Sequence, residues 1–329
     1  MRAALRLAVL TTSTCLAVGC GDGGGASSSG EAFRLVTPAD TSTAVAVGTA
    51  AAGAKAVHKA PITLLAHDAA ALGIGHEARG VIGQETTRLV AFADDGVVPD
   101  FRDGLMDAVV TASIDVMAEQ AADLTLLAVS GVEIPARVAV GARWYSRANR
   151  AAGGQATPSP DEFGIAALRM QHAAVLDKQP KTDVVFRIGV VISATEPMRA
   201  RLATALTKAL RAYPQLEVTM GGDAAAFVTE NRNAILFVGR GQAAYASLAK
   251  DARAQGIRVL GVASDLPTSA VQSEVLADAE SFGTAAGEAI RALQPAGTTV
   301  LELGFRSDDA ALVARRTALL RTLQASTAK

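Results

Sequence analysis

The sequence predicts an α/β protein made of two doubly wound parallel-sheet lobes. Apolar, β-branched runs of strand length alternate with helical stretches from residue 32 to the end of the chain, the pattern of parallel strands covered on both faces by crossover helices. The alternation breaks once, around AAGGQATPSP at 151–160, where glycine and proline mark a connector. A length of 329 residues, 50% hydrophobic and 19% charged, suits one large or two modest domains.

Residues 1–20 come first and differ from the rest. Met1-Arg2 with Arg6, a short apolar stretch and the ending Leu16-Ala17-Val18-Gly19-Cys20 describe an export signal, too short to remain as a membrane span. The ending resembles a bacterial lipobox, which implies that Cys20 is lipidated and becomes the new N-terminus; ordinary secretion is the alternative. Residues 21–31, rich in Gly and Ser, form a flexible tether. The expected location is periplasmic or cell-surface, with a lipid anchor to the membrane. Removal of the signal takes Cys15 with it and leaves no disulfide in the mature domain.

Residues 32–150 form one α/β domain, with strands at 32–37, 62–66, 88–93, 108–112 and 137–142. Helices fall at 43–55, 69–79 and 116–129, and the helix at 115–130 is expected to pack on the other lobe. Residues 151–182 are the connector, with a helix at 161–176. Residues 183–296 form the second domain. It opens with the strand 184–192 (VVFRIGVVI), followed by a helix from Pro197 that carries Leu202, Leu206 and Leu210 as one core-facing stripe. Strands follow at 216–220, 234–238, 258–262 and 273–277, with helices at 242–255 and 281–293. Residues 297–329 add a strand at 299–303 and a helix at 308–323 that return to the first domain. Aromatic residues make up only 4% and glycines number 30, so helices are expected to approach closely through small residues. The net charge of −1 and the lack of a Lys/Arg cluster argue against a nucleic-acid partner.

Few motifs carry chemistry. Gly239-Arg240-Gly241-Gln242-Ala243-Ala244 follows a strand, precedes a helix and has Asp265 past the next strand, the outline of a dinucleotide fingerprint. It sits at the third strand of its block rather than the first, so an ordinary tight βα turn is preferred and no cofactor is expected. Of the four histidines, His67 and His76 are nine apart, which is not a ligand spacing on one face; His58 and His172 read as solvated helix residues, and no metal site is expected. No Gly-x-Ser-x-Gly elbow exists, no catalytic residue is assigned, and an enzyme is not expected. His67-Asp68 closes the strand 62–66 and Asp94-Asp95 closes 88–93, at the strand ends where parallel sheets bind ligands. Asp-Asp-Gly also suits a plain turn.

The chain also carries a recognisable train of segments. "AHDAAALG", "VAFADDGVVPDFRDG", "MDAVVTASIDVMAEQAADLTLLAVSG" and "IPARVAVGARWYSRAN" resemble the second lobe of the ribose/galactose-type periplasmic sugar-binding proteins. "IGVVISATEPMRARLATALTKALRAYPQLEV", "NAILFVGRGQAAYASLAKDARAQGIRVLGVASD" and "VLADAESFGTAAGEAIRAL" resemble the first lobe. Residues 299–323 resemble the opening of the second lobe, and residues 32–57 resemble what normally follows it. The resemblance therefore implies a periplasmic-binding-protein-like fold in circularly permuted order, two lobes joined by a hinge, cut between the last helix and the first strand.

Carried over position by position, the resemblance puts Glu196, Pro197, Met198 and Arg199 where the family has a polar residue, a proline and two aromatics. Ala263-Ser264, with Asp265 next, stand where it has an Asp-Arg pair. Thr41 replaces an aromatic, His67 an asparagine, and Asp94 lies beside the position of an aspartate; the family's arginine falls near Val313 and its glutamine near Ala112-Ser113. Loss of the aromatic faces and of most charged partners argues against the usual sugars. The ligand-binding candidates are Thr41, His67, Asp68, Asp94, Glu196, Arg199, Ser264 and Asp265. The resemblance implies a membrane-tethered solute-binding protein that captures a small polar, sugar-like ligand between its lobes and serves an ABC permease or a membrane sensor. A binding fold that has lost its ligand and serves as a partner-binding or structural lipoprotein is the alternative, and a dinucleotide-dependent enzyme a more distant one.

Overall fold

The computed structural model describes residues 33–58, 60–93, 101, 103–177, 184–193 and 198–325. The signal, the tether, Cys20, Asp94, Asp95 and Glu196 lie outside the described residues, as do the side chains of His58 and Arg199.

In chain order the elements are β1 (Arg34–Val36), α1 (Ala44–His58), β2 (Ile62–Ala66), α2 (Ala69–Ile82), β3 (Thr87–Ala93), β4 (Ala108–Ala112), α3 (Ile114–Val129), β5 (Arg137–Val140), β6 (Ala142–Ser146) and β7 (Gln155–Thr157). The connector helices α4 (Pro160–Gln171) and α5 (Ala173–Leu176) follow. The remainder comprises β8 (Phe186–Ile192), α6 (Met198–Arg211), β9 (Leu216–Met220), α7 (Ala224–Thr229), β10 (Ala234–Val238), α8 (Ala246–Ala254), β11 (Arg258–Val262), β12 (Ser273–Ala277), α9 (Ala279–Leu293), β13 (Thr299–Leu303) and α10 (Ala310–Gln324).

The strands form two sheets. One has seven strands in the order β1-β13-β2-β3-β4-β6-β7, parallel except for β6, which is antiparallel to both of its neighbours. The other has six, β5-β12-β11-β10-β8-β9, all parallel. The central strands β2, β4, β10 and β13 are buried at every residue, which is why they read as mainly apolar runs, broken only by Thr63, Thr111, Thr299 and Glu302, rather than as alternating ones. One face of the seven-stranded sheet packs on α1 and α2 through Val47, Leu64, Leu89 and Leu301. One face of the six-stranded sheet packs on α7 and α8 through Phe227, Phe237 and Ala249. The remaining faces belong to one apolar cluster that runs through both sheets. Leu202, Leu206 and Leu210 lie in it as the expected stripe of α6.

The two sheets exchange helices. α3 leaves β4 of the seven-stranded sheet yet packs on α6, β11 and β12 of the other. α9 leaves β12 of the six-stranded sheet yet packs on α10, β3, β4, β6 and β7. Where these paths meet, the Asp278 N–H donates to Val140 O at 2.9 Å. The buried Ser281 hydroxyl accepts from the Ala142 N–H at 2.5 Å and donates to Thr157 O at 2.8 Å.

Three boundaries differ from the sequence expectation. The run 137–142 is not one strand: β5 pairs with β12, and after Gly141 the chain enters β6, in the other sheet. Alternation in hydrophobicity does not report a change of sheet. The connector loses its first residues to β7, which turns back on β6 through Gly153 and Gly154, both at positive φ, a conformation glycine adopts without steric cost. The helix expected from Gln242 begins as a single 3₁₀ turn, and α8 starts at Ala246.

The expectation of close helix approach is met at the α9–α10 contact. A Cβ placed on Gly283 would lie 1.9 Å from the Arg315 carbonyl oxygen, and one on Gly287 would lie 2.7 Å from Thr322. In contrast, a Cβ on Gly53 of α1 meets nothing within 4 Å. Gly283→Ala is expected to lose about 1–3 kcal/mol by overpacking. Gly53→Ala is expected to gain about 0.5–1 kcal/mol by helix propensity. Urea unfolding of the two variants against the parent protein checks both signs.

Candidate functional site

Parallel sheets leave a crevice beyond the carboxyl ends of their strands. Here β4 ends at Ala112, and Ser113 caps α3 by accepting the Val116 N–H on its Oγ at 3.3 Å. The start of α3 opens onto a gap of about 630 Å³. Arg143 and Tyr145 of β6 line one wall, and Ala200, Arg201 and Thr204 of α6 line the facing one, which belongs to the other sheet's layer. Arg143 and Tyr145 are two apart and so share a side of the strand. Trp144 between them packs against the shared core.

A second cavity of about 280 Å³ shares Ser113 and Arg143 with the gap and is bounded by Val116 and Gln120 of α3, the Val140–Ala142 crossing and Arg169 of α4. A third, of about 480 Å³, runs along α3 past Asp115, Glu119 and Asp123 to α5 and α6. Asp123 joins the walls: it is buried, pairs with Arg169, and accepts from the Tyr213 hydroxyl at the end of α6. Burial first, and the bond to Asp123 second, push the Tyr213 phenol above its ordinary range. Tyr213 therefore stays protonated as a donor.

The sequence-predicted residues whose side chains are described fall elsewhere. Asp68 accepts the Ala71 N–H at 2.8 Å as the cap of α2. Thr41 lies in the β1–α1 loop beside the Asp40–Ser42 turn. The Ser264 hydroxyl accepts the Leu266 N–H at 3.2 Å. Asp265 accepts from the Gly241 and Gln242 N–H groups at 3.0 and 2.6 Å. Burial alone would raise the pKa of Asp265, but the N–H donors at Gly241, Gln242, Asp265 and Ala243 outweigh it and hold the carboxylate below its usual 3.8. The Gly239–Ala244 turn thus gives an Asp carboxylate the amides that a diphosphate would take. None of these residues lines the three cavities.

His67 is 4% exposed and belongs to a buried polar cluster that the sequence reading did not foresee. Glu302, in the middle of β13, is fully buried. Its carboxylate meets His67 Nε2 at 3.3 Å, the Thr37 hydroxyl at 2.9 Å and Arg316 Nε at 3.2 Å. The His67 ring stacks on Phe92 with centroids 5.1 Å apart. Arg316 covers Phe305, and Arg315 lies 4.7 Å from the centre of the Phe282 ring. An acidic residue inside the apolar run Val300-Leu301-Glu302-Leu303 was the available signal.

No protein-family model matches the chain, and no curated protein matches it significantly. Among the described residues, no group of three or more His, Cys, Asp or Glu side chains could hold a metal ion. Among the same residues, no helix is long and apolar enough to cross a membrane.

Two substitutions test these assignments. Glu302→Ala removes the acceptor from His67 in the core and from the partly exposed Arg316 and is expected to lose about 1–3 kcal/mol in chemical denaturation. Asp265→Ala is expected to cost about 1 kcal/mol at pH 7 through the loss of bonds to a charged acceptor. Because the folded pKa of Asp265 is depressed, its contribution is present above the unfolded carboxylate pKa and fades as the pH falls through the lower folded value. Parent and variant melting curves should therefore converge in acid.

Proposed function

We propose that this chain is a two-lobed solute-binding protein, tethered to a membrane through Cys20, which closes around a small polar ligand. The observation that carries this reading is the gap at the start of α3, whose walls come from the layers of two different sheets. Beside it the chain passes between those sheets at Gly141, and α3 and α9 cross in opposite directions. A few crossing segments beside a cleft are the architecture that hinge closure uses.

The likeness to permuted sugar-binding proteins is supported by the edge of the seven-stranded sheet. β1 pairs directly with β13, the strand that precedes α10. The first described strand and the last described helix therefore belong to the same half, where a cut between them would put them. Permutation is tolerated when the old ends can be joined and the new cut is an exposed loop. Delivery to an ABC permease or a membrane sensor is the role proposed for the closed form.

A second reading, a binding fold that has lost its small ligand and now engages a protein partner, draws on His67, Asp68 and Asp265. All three make bonds within the protein.

Thermal unfolding against sugars, polyols, nucleosides and small acids separates the two. A ligand at a hundred times its dissociation constant is expected to add about 2.7 kcal/mol of stability. Small-angle scattering of the same sample should show a smaller radius of gyration as the lobes close. A folded protein that no compound class stabilises overturns the solute-binding reading and favours the second.

A further inference from the structure

Gln120 lines the second cavity, which shares Ser113 and Arg143 with the gap. It lies on α3 among Ala118, Ala121, Ala122 and Leu124, all in the shared core, and is only 4% exposed. Its Oε1 has no hydrogen-bond partner among the described residues, which is unfavourable for a buried acceptor. Ser113, Val116 and Gln120 follow i, i+3, i+7 spacing and share one face of α3, and that face borders this cavity. A hydrogen-bond acceptor is thus kept in the wall of a cavity that shares Ser113 and Arg143 with the inter-sheet gap.

Arg143 borders both the gap and this cavity. One Nη of its guanidinium donates to Gly153 O at 2.9 Å, which orients a planar fork suited to a carboxylate. Ser113 Oγ uses a lone pair on the Val116 N–H, so its own proton is available to donate. The α3 N-terminus adds partial positive charge. Asp115 borders the same gap and opposes an anion with two charges. Tyr145 is the one aromatic among the described residues of its lining, which leaves a pyranose without a pair of ring faces.

We propose, resting on the solute-binding reading above, that the ligand is a small monocarboxylate bearing a hydroxyl or amino group. Arg143 pairs with its carboxylate, and Gln120 Oε1, in the wall of the same cavity, accepts from its O–H or N–H.

The test uses the full-length protein with L-lactate, glycolate and L-serine as acid probes. Glycerol, ribose and galactose serve as neutral probes, and inorganic phosphate as the doubly charged one. Binding is read by calorimetry and by the fluorescence of Trp144, the only tryptophan, which stands between two residues of the gap wall. At least one acid probe is expected to bind, with phosphate and the neutral probes inert. Arg143→Gln, at an exposed position, is expected to weaken binding at least tenfold with an unchanged melting midpoint. Gln120→Leu is expected to weaken it similarly while the midpoint holds or rises. Binding of a neutral probe that Arg143→Gln leaves intact would overturn the carboxylate assignment and keep the two-lobe reading. Acid binding that both variants preserve would overturn the roles of the two residues. Failure of every probe in a folded protein would overturn the assignment together with the reading it rests on.

Discussion

The exchange of α3 and α9 between the sheets is the constraint on which the rest of the architecture depends. Each sheet needs helices on both faces to bury its strands, and each takes one of them from a crossover that began in the other sheet. Neither sheet can therefore complete its core alone, and the apolar cluster that fills the shared faces is continuous. The crossing is held by polar contacts: Ser281 bridges the Ala142 N–H and Thr157 O, and the Asp278 N–H reaches Val140 O. Buried backbone groups at a change of sheet lose their ladder partners, and side chains or neighbouring crossings must supply new ones.

The same constraint positions the gap. Because α3 starts at the end of β4 and then crosses to the other layer, its first turn faces strands of one sheet and α6 of the other. The small residues of α3 and α6 keep that junction tight, while Asp123, Arg169 and Tyr213 fix the connector helix beside it. Gln120 Oε1 is one of the buried side-chain atoms there that find no hydrogen-bond partner among the described residues.

The polar groups that the sequence singled out became caps and struts. Asp68, Ser264 and Asp265 each accept backbone N–H bonds from nearby turns, the local chemistry to which such residues are prone. His67 was drawn into a core site by Glu302, a partner 235 positions away. Sequence inspection finds polar residues at strand ends, but it cannot tell a group aimed at a ligand from one that satisfies its own backbone. The gap residues Ser113, Arg143 and Gln120 gave weaker signals because they are spread over α3 and β6 and converge only in the folded chain.

The α/β class, the succession of most strands and helices, the leucine stripe of α6 and the close approach of helices through small residues were legible in the sequence alone. All of these follow from local periodicity and side-chain size, which each segment carries within itself. The folded chain was needed to show that residues 137–146 change sheets at Gly141, that β7 belongs to a sheet, and that Glu302 gathers Thr37, His67 and Arg316. It also supplied the direct pairing of β1 with β13, segments that the sequence placed in one domain without a register. Those facts depend on which distant segments meet, and pairing between strands is set by the burial of whole faces rather than by any one stretch of sequence.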